Sequence, residues 1–410
     1  MLAATACIAH DLDLAEECVQ EAYVAALVAW TRDGIPDSPA AWLTTIAKRR
    51  AADAARRERT FRSKLPLLVE PESTMEDEPM IDQAVVEEWQ AAVPDERLRL
   101  VFLCCHPALA PEAQIALTLR LICGMSTPDI ARAFLVAEPT MAARLTRAKK
   151  KISVARIPLR VPSPAQLPDR LQTVLGVIHL LFTTGHTAPS GATLMRPELV
   201  DQSLHLARML QELLPNEPEV RGLLALLLVT DARRATRVGE NGRPLKLSEQ
   251  DRSQWDRAAI AEAHGLIIGA LRGGRAGRYV LQAGIASLHA ESPTYDETDW
   301  PQIVLLYDHL LSVWPSPVVV LNRAVALSMV AGPGEALAEV EQLHKDGLLA
   351  HYHYLFAVKA DLLRRLGRAD EASDADRQAL ELTENGAERT LLAARLGESR
   401  RPEQGGSGST

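Results

Sequence analysis

Two short segments of this chain concentrate Lys and Arg in a pattern suited to contact with nucleic acid. Residues Lys48 to Lys64 contain eight basic and two acidic residues, and Thr140 to Ile152 contain five basic and none acidic. Between them, Leu65 to Glu96 holds eight carboxylates before Asp95 and Glu96 add two more, without Lys or Arg. Cationic side chains neutralise phosphates, but a net charge of −8 excludes a protein that coats nucleic acid everywhere. Any contact must come from these local patches.

The second basic patch follows a helix-turn-helix pattern. Ser126 can cap the N-terminus of a short helix, and Asp129 completes a capping box with it. Pro128 lies in the first turn of this helix, where its missing N–H breaks no hydrogen bond. Pro139 opens the next helix, predicted from Thr140 to about Ile152. Within reach of base edges are Thr140, Ala142, Ala143 and Arg144, and within reach of phosphates are Arg147, Lys149 and Lys150. The pattern predicts duplex binding, and a solvated basic helix is the alternative.

The first basic patch lies on a helix predicted from Ala40 to about Arg59, after the turn signal DGIPDSP. This helix presents Trp42 together with the cations Lys48, Arg49, Arg56 and Arg57. A basic helix with a nearby aromatic suits single-stranded DNA, whose bases stack while its phosphates meet cations. Burial of Trp42 in a core is the alternative, because Trp side chains are highly buried on average.

The composition favours an all-α fold. Aromatic residues make up only 4% of the chain, while Ala, Leu and Arg dominate, and unbranched side chains lose little rotamer freedom in a helix. The segment Asp11 to Trp30 shows the helical period. One stripe of it carries Leu14, Cys18, Ala22 and Leu27, and the other side mostly Glu16, Glu17, Gln20 and Glu21. We expect an amphipathic helix with an acidic face.

The chain beyond Arg160 contains an internal repeat. VVVLNRAVALSMVAG at Val318 aligns with YHYLFAVKADLLRRLG at Tyr352 at an offset of 34 residues, which places Leu321 over Leu355 and Ala326 over Ala360. A third, weaker copy begins at Leu206. These segments resemble tetratricopeptide repeats, whose helix pairs must stack to bury a continuous core.

The cysteines and the apolar segments indicate a reducing, aqueous compartment. Five cysteines are scattered without the spacing of a disulfide framework. The start MLAATACIAH lacks a basic leader and runs into the acidic DLDLAEE, and the longest apolar stretch, Gly222 to Val229, is too short to span a bilayer. We expect a cytoplasmic protein with no membrane contact.

Metal and nucleotide motifs are weak in this sequence. CCHPALAPE at Cys104 offers thiolates and an imidazole, with Cys123 as a fourth donor, but adjacent ligands lack the usual zinc spacing. These cysteines are expected to be small buried hydrophobes. GGRAGR at Gly273 lacks the GK[ST] ending of a P-loop and is interpreted as a turn. We predict no metal and no cofactor.

Two N-terminal segments resemble the extracytoplasmic-function sigma factors of the sigma-70 family. DLDLAEECVQEAYVAAL and AWLTTIAKRRAADAARR resemble region 2 of these proteins, and LTLRLICGMSTPDIARAFLVAEPTMAARLTRAKKKI resembles region 4. Together they cover roughly the first 155 residues in the family's order. The remainder resembles the C-terminal extension of the sigma group that carries tetratricopeptide repeats. The resemblance implies a non-enzymatic subunit that directs core RNA polymerase to promoter DNA.

The resemblance also implies roles for individual residues. The set implied to bind polymerase is Glu16, Glu17, Gln20 and Glu21. The set implied at the −10 element is Trp42, Lys48, Arg49, Arg50, Arg56 and Arg57, with Arg49 near the flipped base. The set implied at the −35 element is Thr140, Ala143, Arg144, Arg147, Lys149 and Lys150. Pro139 stands where the family usually has Gly, and the first helix of region 2 is expected to be shortened to a few residues before Asp11.

The predicted organisation is region 2 over 1–64, a flexible acidic linker over 65–93, region 4 over 94–158, a helical extension over 159–398 and a disordered tail over 399–410. The predicted partners are core RNA polymerase and promoter DNA, with a protein or ligand on the repeats that modulates activity. The charge-dense segment Asp231 to Arg257 is either a signal-sensing or interdomain surface or a solvated, salt-bridged loop.

Two rival functions stay open at this point. One is a repeat scaffold that regulates by binding duplex DNA without polymerase. The other is an enzyme that groups His205, Asp201 and Asp251 in a cleft between repeats, because spatial clusters are invisible in sequence.

Overall fold

A computed structural model describes residues 1–9, 11–64, 96–122, 124–134, 136–155, 157, 166–239, 242–274 and 276–399. The predicted acidic linker and Cys123 lie outside these residues, as does the predicted tail apart from Ser399. The described residues are largely helical, which confirms the all-α prediction. The chain divides into two compact units, Met1–Ile178 and His179–Thr410. None of the described helices is both long enough and apolar enough to cross a bilayer.

The first unit is built from helices with the following bounds: α1 (Leu2–Ala9), α2 (Leu12–Asp33), α3 (Pro39–Lys64), α4 (Glu96–Cys104), α5 (Pro111–Leu121), α6 (Thr127–Ala133), α7 (Glu138–Val154) and the first part of α8 (Leu167–His186). Helices α1, α2 and α3 pack on one another, and α5, α6 and α7 form a second group of packed helices.

Local signals set both ends of α2. The Asp11 carboxylate accepts a hydrogen bond from the Leu14 N–H at 2.8 Å, which satisfies an amide left free at the helix start. At the other end Gly34 adopts a φ of 84°, and its N–H bonds to the Trp30 carbonyl. The helix buries Leu12, Ala15, Cys18, Ala22 and Ala26. The predicted inward stripe is wrong at its last position, because Leu27 is 73% exposed.

The helix-turn-helix forms as its caps predict. Gly124 takes a φ of 63° before α6. The Ser126 hydroxyl oxygen accepts from the Asp129 N–H at 3.2 Å and donates to the Asp129 carboxylate at 2.6 Å. Helix α7 begins at Glu138, two residues before the predicted start, because Pro139 can occupy the first turn without an N–H donor. Met141 and Leu145 are buried as expected.

The second unit continues from α8 with these helices: α9 (Pro197–Leu213), α10 (Pro218–Asp231), α11 (Arg257–Arg272), α12 (Arg278–Glu291), α13 (Trp300–Val313), α14 (Pro317–Val330), α15 (Pro333–Lys345), α16 (His353–Arg365), α17 (Ala369–Leu382) and α18 (Gly386–Ser399). Helix α11 ends at Arg272 and α12 begins at Arg278, so Gly273, Gly274 and Gly277 of the GGRAGR motif lie between the two helices.

The internal repeat corresponds to two successive helix pairs, α14 with α15 and α16 with α17. The aligned residues Leu321 and Leu355 are 1% and 0% exposed and belong to one apolar cluster. These two equivalent positions therefore face a shared core, as stacked helical repeats require. The tetratricopeptide-like extension is confirmed.

A two-stranded parallel ladder connects the start of the second unit to its last helix. Strand β1 (Ser190–Gly191) pairs with β2 (Glu384–Asn385). Asn385 is fully buried, and its Nδ2 donates to the carbonyls of Ala188 at 2.8 Å and Thr193 at 3.1 Å. Its Oδ1 accepts from the Ala387 N–H at 3.0 Å at the start of α18. One amide side chain thus satisfies backbone groups of segments that are almost 200 residues apart.

The charge-dense segment between α10 and α11 is anchored by a buried aromatic ring. Trp255 is 3% exposed, and its Nε1 donates to the Thr236 hydroxyl at 2.9 Å. The Arg252 guanidinium lies over the Trp255 ring and donates to the carbonyls of His289 at 2.6 Å and Ser292 at 2.7 Å. The segment also carries exposed ion pairs, including Arg243 with Glu249 at 3.3 Å. The described part of this segment therefore carries exposed ion pairs on a fixed base.

Candidate nucleic-acid and polymerase interface

Helix α7 presents a cationic face opposite its buried side. Met141, Leu145, Ala148 and Ile152 point into the unit. The predicted base-contacting and phosphate-contacting residues Thr140, Ala143, Arg147 and Lys150 are all exposed. Arg144 is half-buried, with its guanidinium carbon 5.8 Å from the centre of the Phe134 ring. The helix therefore offers short side chains near its N-terminus and cations farther along, an order that suits major-groove entry.

Lys149 differs from the other cations of α7. Only 16% of its side chain is exposed, and its Nζ lies 3.3 Å from the Asp13 carboxylate and contacts that of Glu16. Both carboxylates belong to α2, a helix of the same unit. A residue predicted to contact DNA and a residue predicted to bind polymerase are thus paired with each other.

The basic face of α3 divides into exposed and paired cations. Arg49, Arg56 and Arg57 are exposed, and Lys48 is half-buried. The Arg50 guanidinium pairs with the Glu21 carboxylate of α2, a second ion pair between predicted DNA-binding and polymerase-binding residues. Arg56 lies 3.7 Å from Asp53 of its own helix. Among the described side chains of α3, Arg49 and Arg57 are therefore exposed cations, and Arg56 is exposed beside Asp53.

Trp42 is neither fully buried nor freely presented. It is half-buried, and its ring meets that of Trp30 edge-on, with the ring centres 5.6 Å apart. Such aromatic pairs contribute about 0.5–1.5 kcal/mol beyond the area they bury. The stacking and core interpretations of Trp42 are therefore compatible, because one edge packs on α2 while part of the ring stays accessible.

Helix α2 carries an apolar surface that sequence reasoning missed. Tyr23, Val24, Leu27 and Val28 are 52%, 62%, 73% and 71% exposed. Their spacing places them in one stripe, which we call the α2 apolar stripe. Apolar patches on soluble proteins mark sites of protein contact. The sequence AYVAALV indicates this surface, because its apolar residues occupy all sides of the helix. Only one side can face the core, so some of these side chains must be exposed. Glu17 and Gln20 are exposed on the same helix.

The cysteines near α4 are in an environment unlike that of a metal site. Cys104 and Cys105 are buried, and burial raises the pKa of the Cys105 thiol to about 12. His106 accepts through Nδ1 from the Ala108 N–H at 3.1 Å. Among the described residues, no group of three His, Cys, Asp or Glu is arranged to hold a metal ion.

The carboxylates of the enzyme hypothesis have structural partners. Asp201 lies 2.7 Å from the Arg234 guanidinium. Asp251 accepts from the Ser253 N–H at 2.9 Å, from its hydroxyl at 2.7 Å and from Gln254 at 2.9 Å, which caps a short turn. These hydrogen bonds lower the pKa of Asp251. A carboxylate held in the charged form in this way is a poor general acid.

Three family models match this chain. Residues 5–61 match sigma-70 region 2, residues 99–152 match sigma-70 region 4, and residues 170–271 match a family of unknown function, DUF6596. The first two matches fall on the helices that carry the basic faces and the α2 apolar stripe.

One relative is similar over almost the whole chain. The uncharacterized protein R00370 of Rhizobium meliloti (strain 1021) is 41% identical over 388 residues, which cover 94% of this chain and 90% of that protein. Among solved structures, yeast Tom70 aligns over 95% of this chain and 80% of its own at 13% identity, with a TM-score of 0.38.

Proposed function

The chain belongs to the sigma-70 family, whose regions 2 and 4 serve promoter recognition, and from this premise we propose that it is an alternative sigma factor. In this role it binds core RNA polymerase through α2 and contacts the −10 element through α3. It contacts the −35 element through α7. The polymerase performs the chemistry, so the proposed activity needs no catalytic residue of this chain, and its place is the cytoplasm.

The observation that carries the proposal is the combination of surfaces on the first unit. The helix-turn-helix exposes Arg147 and Lys150, which suits phosphate contacts beside base readout. The α2 apolar stripe suits a protein partner rather than DNA, because base edges and phosphates are polar. A factor that needs both DNA and polymerase requires both kinds of surface, whereas a regulator that binds duplex DNA alone has no use for the stripe.

The finer assignment of residues follows from exposure. We propose that Thr140, Ala143 and Arg144 read the −35 element while Arg147 and Lys150 bind its phosphates, and that Lys149 joins them once its ion pair with Glu16 opens. We propose that Arg49 and Arg57 are the main −10 contacts, supported by Lys48, Arg50, Arg56 and Trp42. Glu17 and Gln20 are free to face polymerase beside the α2 apolar stripe, and Glu16 and Glu21 can join them once their ion pairs open.

The test is reconstitution. The purified chain is added to core RNA polymerase with a library of promoters, and transcript starts are mapped. New starts that share a −35 and a −10 motif are expected. Specific duplex binding without any new start would contradict the proposal and support the rival regulator that acts without polymerase.

We further propose that the C-terminal unit modulates this activity. It is larger than needed for promoter contact, and helical repeats commonly use their concave surface to bind a partner or ligand. The test compares full-length protein with a truncation after Ile178, which retains the bond from the Arg170 guanidinium to the Phe102 carbonyl at 3.0 Å. Unchanged promoter output and specificity in a truncation that melts normally would remove the modulatory role.

A further inference from the structure

We propose that the second unit binds a small amphipathic carboxylate, an apolar chain or ring system that ends in one carboxyl group. The site is a cavity of about 660 Å³ bordered by α14, α16 and α18, which we call the repeat cavity. It lies wholly in the second unit and contains none of the residues assigned to DNA or polymerase. The inference therefore stands independently of the proposed promoter function.

The walls of the repeat cavity are apolar side chains that remain partly uncovered. Helix α14 contributes Val325 and Met329, which are 38% and 36% exposed. Helix α16 contributes Ala357 and Val358, and α18 contributes Leu391, all half-buried. Contact between water and such surface is unfavourable. The walls thus favour an apolar occupant.

Arg365 supplies a fixed positive charge at the edge of the cavity. Its two terminal nitrogens donate to Ser328, one to the hydroxyl oxygen at 2.7 Å and one to the carbonyl at 2.9 Å. Ser328 is 3% exposed, so the guanidinium is held by a rigid, buried anchor. Both acceptors are neutral, and no carboxylate of the described residues forms an ion pair with Arg365. Its charge is thus available to a ligand, and guanidinium groups bind carboxylates with matched geometry.

The other charged groups on the cavity wall, including Arg395, already have contacts of their own. Lys246 lies 3.0 Å from Asp361. Glu388 accepts from the Thr383 hydroxyl at 3.0 Å and from the Tyr354 hydroxyl, and it lies 3.1 Å from His353 Nε2. Burial raises the pKa of Glu388, but the close contact with His353 and the hydrogen bond from Tyr354 outweigh it and lower the pKa. A cationic ligand therefore finds no unpaired carboxylate among these groups, whereas an anionic ligand finds Arg365.

The shape of the cavity favours a small molecule over a peptide. Its volume lies within the range of about 300–1,000 Å³ that is typical of small-molecule sites. The ion pair between Lys246 and Asp361 fixes the segment Lys246 to Ser248 along one side of the cavity. A small molecule can be enclosed between this segment and the helices that line the cavity.

Direct titration of the full chain tests the proposal. The probe is decanoate, and 1-decanol is the neutral ligand of equal chain length; binding is followed by displacement of a fluorescent fatty-acid analogue. We expect one decanoate per chain and an affinity at least about tenfold above that of decanol, since charge-assisted hydrogen bonds are roughly twice as strong as neutral ones. Equal affinity for both ligands, or no saturable binding, would overturn the proposal.

Variants separate the charge from the walls. Arg365→Gln, which keeps hydrogen-bond donors for Ser328, should lower decanoate affinity about tenfold and leave decanol unchanged. Ala357→Trp should abolish binding of both ligands by filling the cavity. The matched control Arg272→Gln removes an exposed charge outside the cavity and should bind as wild type. Thermal unfolding checks that each variant is folded.

Two results would overturn the proposal in these variants. One is decanoate binding that Arg365→Gln and Ala357→Trp both leave intact. The other result comes from competition with the fluorescent probe. If an apolar peptide with a free C-terminal carboxylate displaces the probe but decanoate does not, the cavity is a peptide site. No polymerase enters the assay, so these outcomes are distinct from failure of the promoter function.

Discussion

Lys149 of α7 pairs with Glu16 of α2, and its Nζ also lies 3.3 Å from the Asp13 carboxylate. The contact joins the proposed −35 recognition helix to the proposed polymerase-docking helix within one unit. Neither residue can serve its proposed partner while it is held in this pair. The ion pair therefore competes with both proposed functions of the first unit.

We expect Lys149 and Glu16 to be energetically coupled in the free protein. Their side chains are 16% and 29% exposed. Exposed ion pairs contribute about 0.2–1 kcal/mol to stability, so we expect a coupling energy of about 1 kcal/mol for this less exposed pair. The measurement is a double-mutant cycle with Lys149→Met and Glu16→Gln by urea unfolding. Lys151→Met, which removes an exposed charge of the same helix, is the control and should show no coupling to Glu16→Gln.

Arg144 should determine the preference at one −35 base pair. Its position above the Phe134 ring restricts the guanidinium near the N-terminal half of α7. Arg144→Ala should weaken specific duplex binding by about 1–3 kcal/mol and relax the preference at one position. The measurement is binding to a library of single-base variants of the site. Lys150→Ala is the matched control and should weaken all sequences alike; an equal loss on all sequences for Arg144→Ala would identify it as a phosphate contact.

The α2 apolar stripe should be required for polymerase binding. Leu27 is 73% exposed in the free chain, and burying a Leu side chain is worth about 1.5–3 kcal/mol. Leu27→Asp should therefore lower the affinity for core polymerase about tenfold or more without lowering the unfolding temperature. Leu348→Asp, at a residue 64% exposed in the second unit, is the control. If Leu27→Asp binds core polymerase with wild-type affinity, the docking surface lies elsewhere.

Gly222 should be irreplaceable because of close packing between α10 and α12. A Cβ atom at this position would lie 2.5 Å from the Val280 backbone nitrogen, which cannot move aside as a flexible side chain can. Gly222→Ala should lower the free energy of unfolding by about 3 kcal/mol, at the upper end for overpacking. Gly265→Ala, at an exposed helical position with nothing within 4 Å, should instead stabilise by about 0.5–1 kcal/mol. Urea unfolding of both variants distinguishes the two effects.

The second unit should lose stability in mild acid. Burial lowers the pKa of His179 to about 4, and also that of His289 to about 4, so each stays neutral in the folded unit. The unfolded chain protonates these residues near pH 6.5. Between about pH 6.5 and 4 the unfolded state therefore binds more protons, and stability falls as the pH decreases. At pH 5 the expected loss is about 2 kcal/mol for each histidine.

Urea midpoints measured from pH 7 to pH 5 check this expectation. His179→Phe, which preserves an aromatic ring against Tyr279, should flatten the pH dependence, and adding His289→Gln should flatten it further. Burial lowers the pKa of His186 to about 2, so a residual slope from this residue is expected in the double variant. A slope that neither substitution reduces would contradict the roles of His179 and His289.

Local signals in the sequence were sufficient for the helices and for the helix-turn-helix. The Asp11 cap, the Ser126 and Asp129 pair and the glycine at position 124 act within a few residues of one another, so their hydrogen bonds can be predicted without knowledge of the fold. The 34-residue offset between Leu321 and Leu355 was visible for the same reason, since each repeat reproduces its own core positions.

The tertiary structure alone decided which predicted residues are accessible and which are paired. Lys149 and Glu16 are 133 residues apart, and Arg365 and Ser328 are 37 apart. Charge pairing, burial and cavity shape depend on distances across the folded chain, which the period of a helix does not specify. The sequence therefore determined a helical sigma-family protein with two basic helices and a repeat extension. Packing determined that Leu27 is exposed, that Lys149 is engaged with α2, and that Arg365 lies beside an apolar cavity.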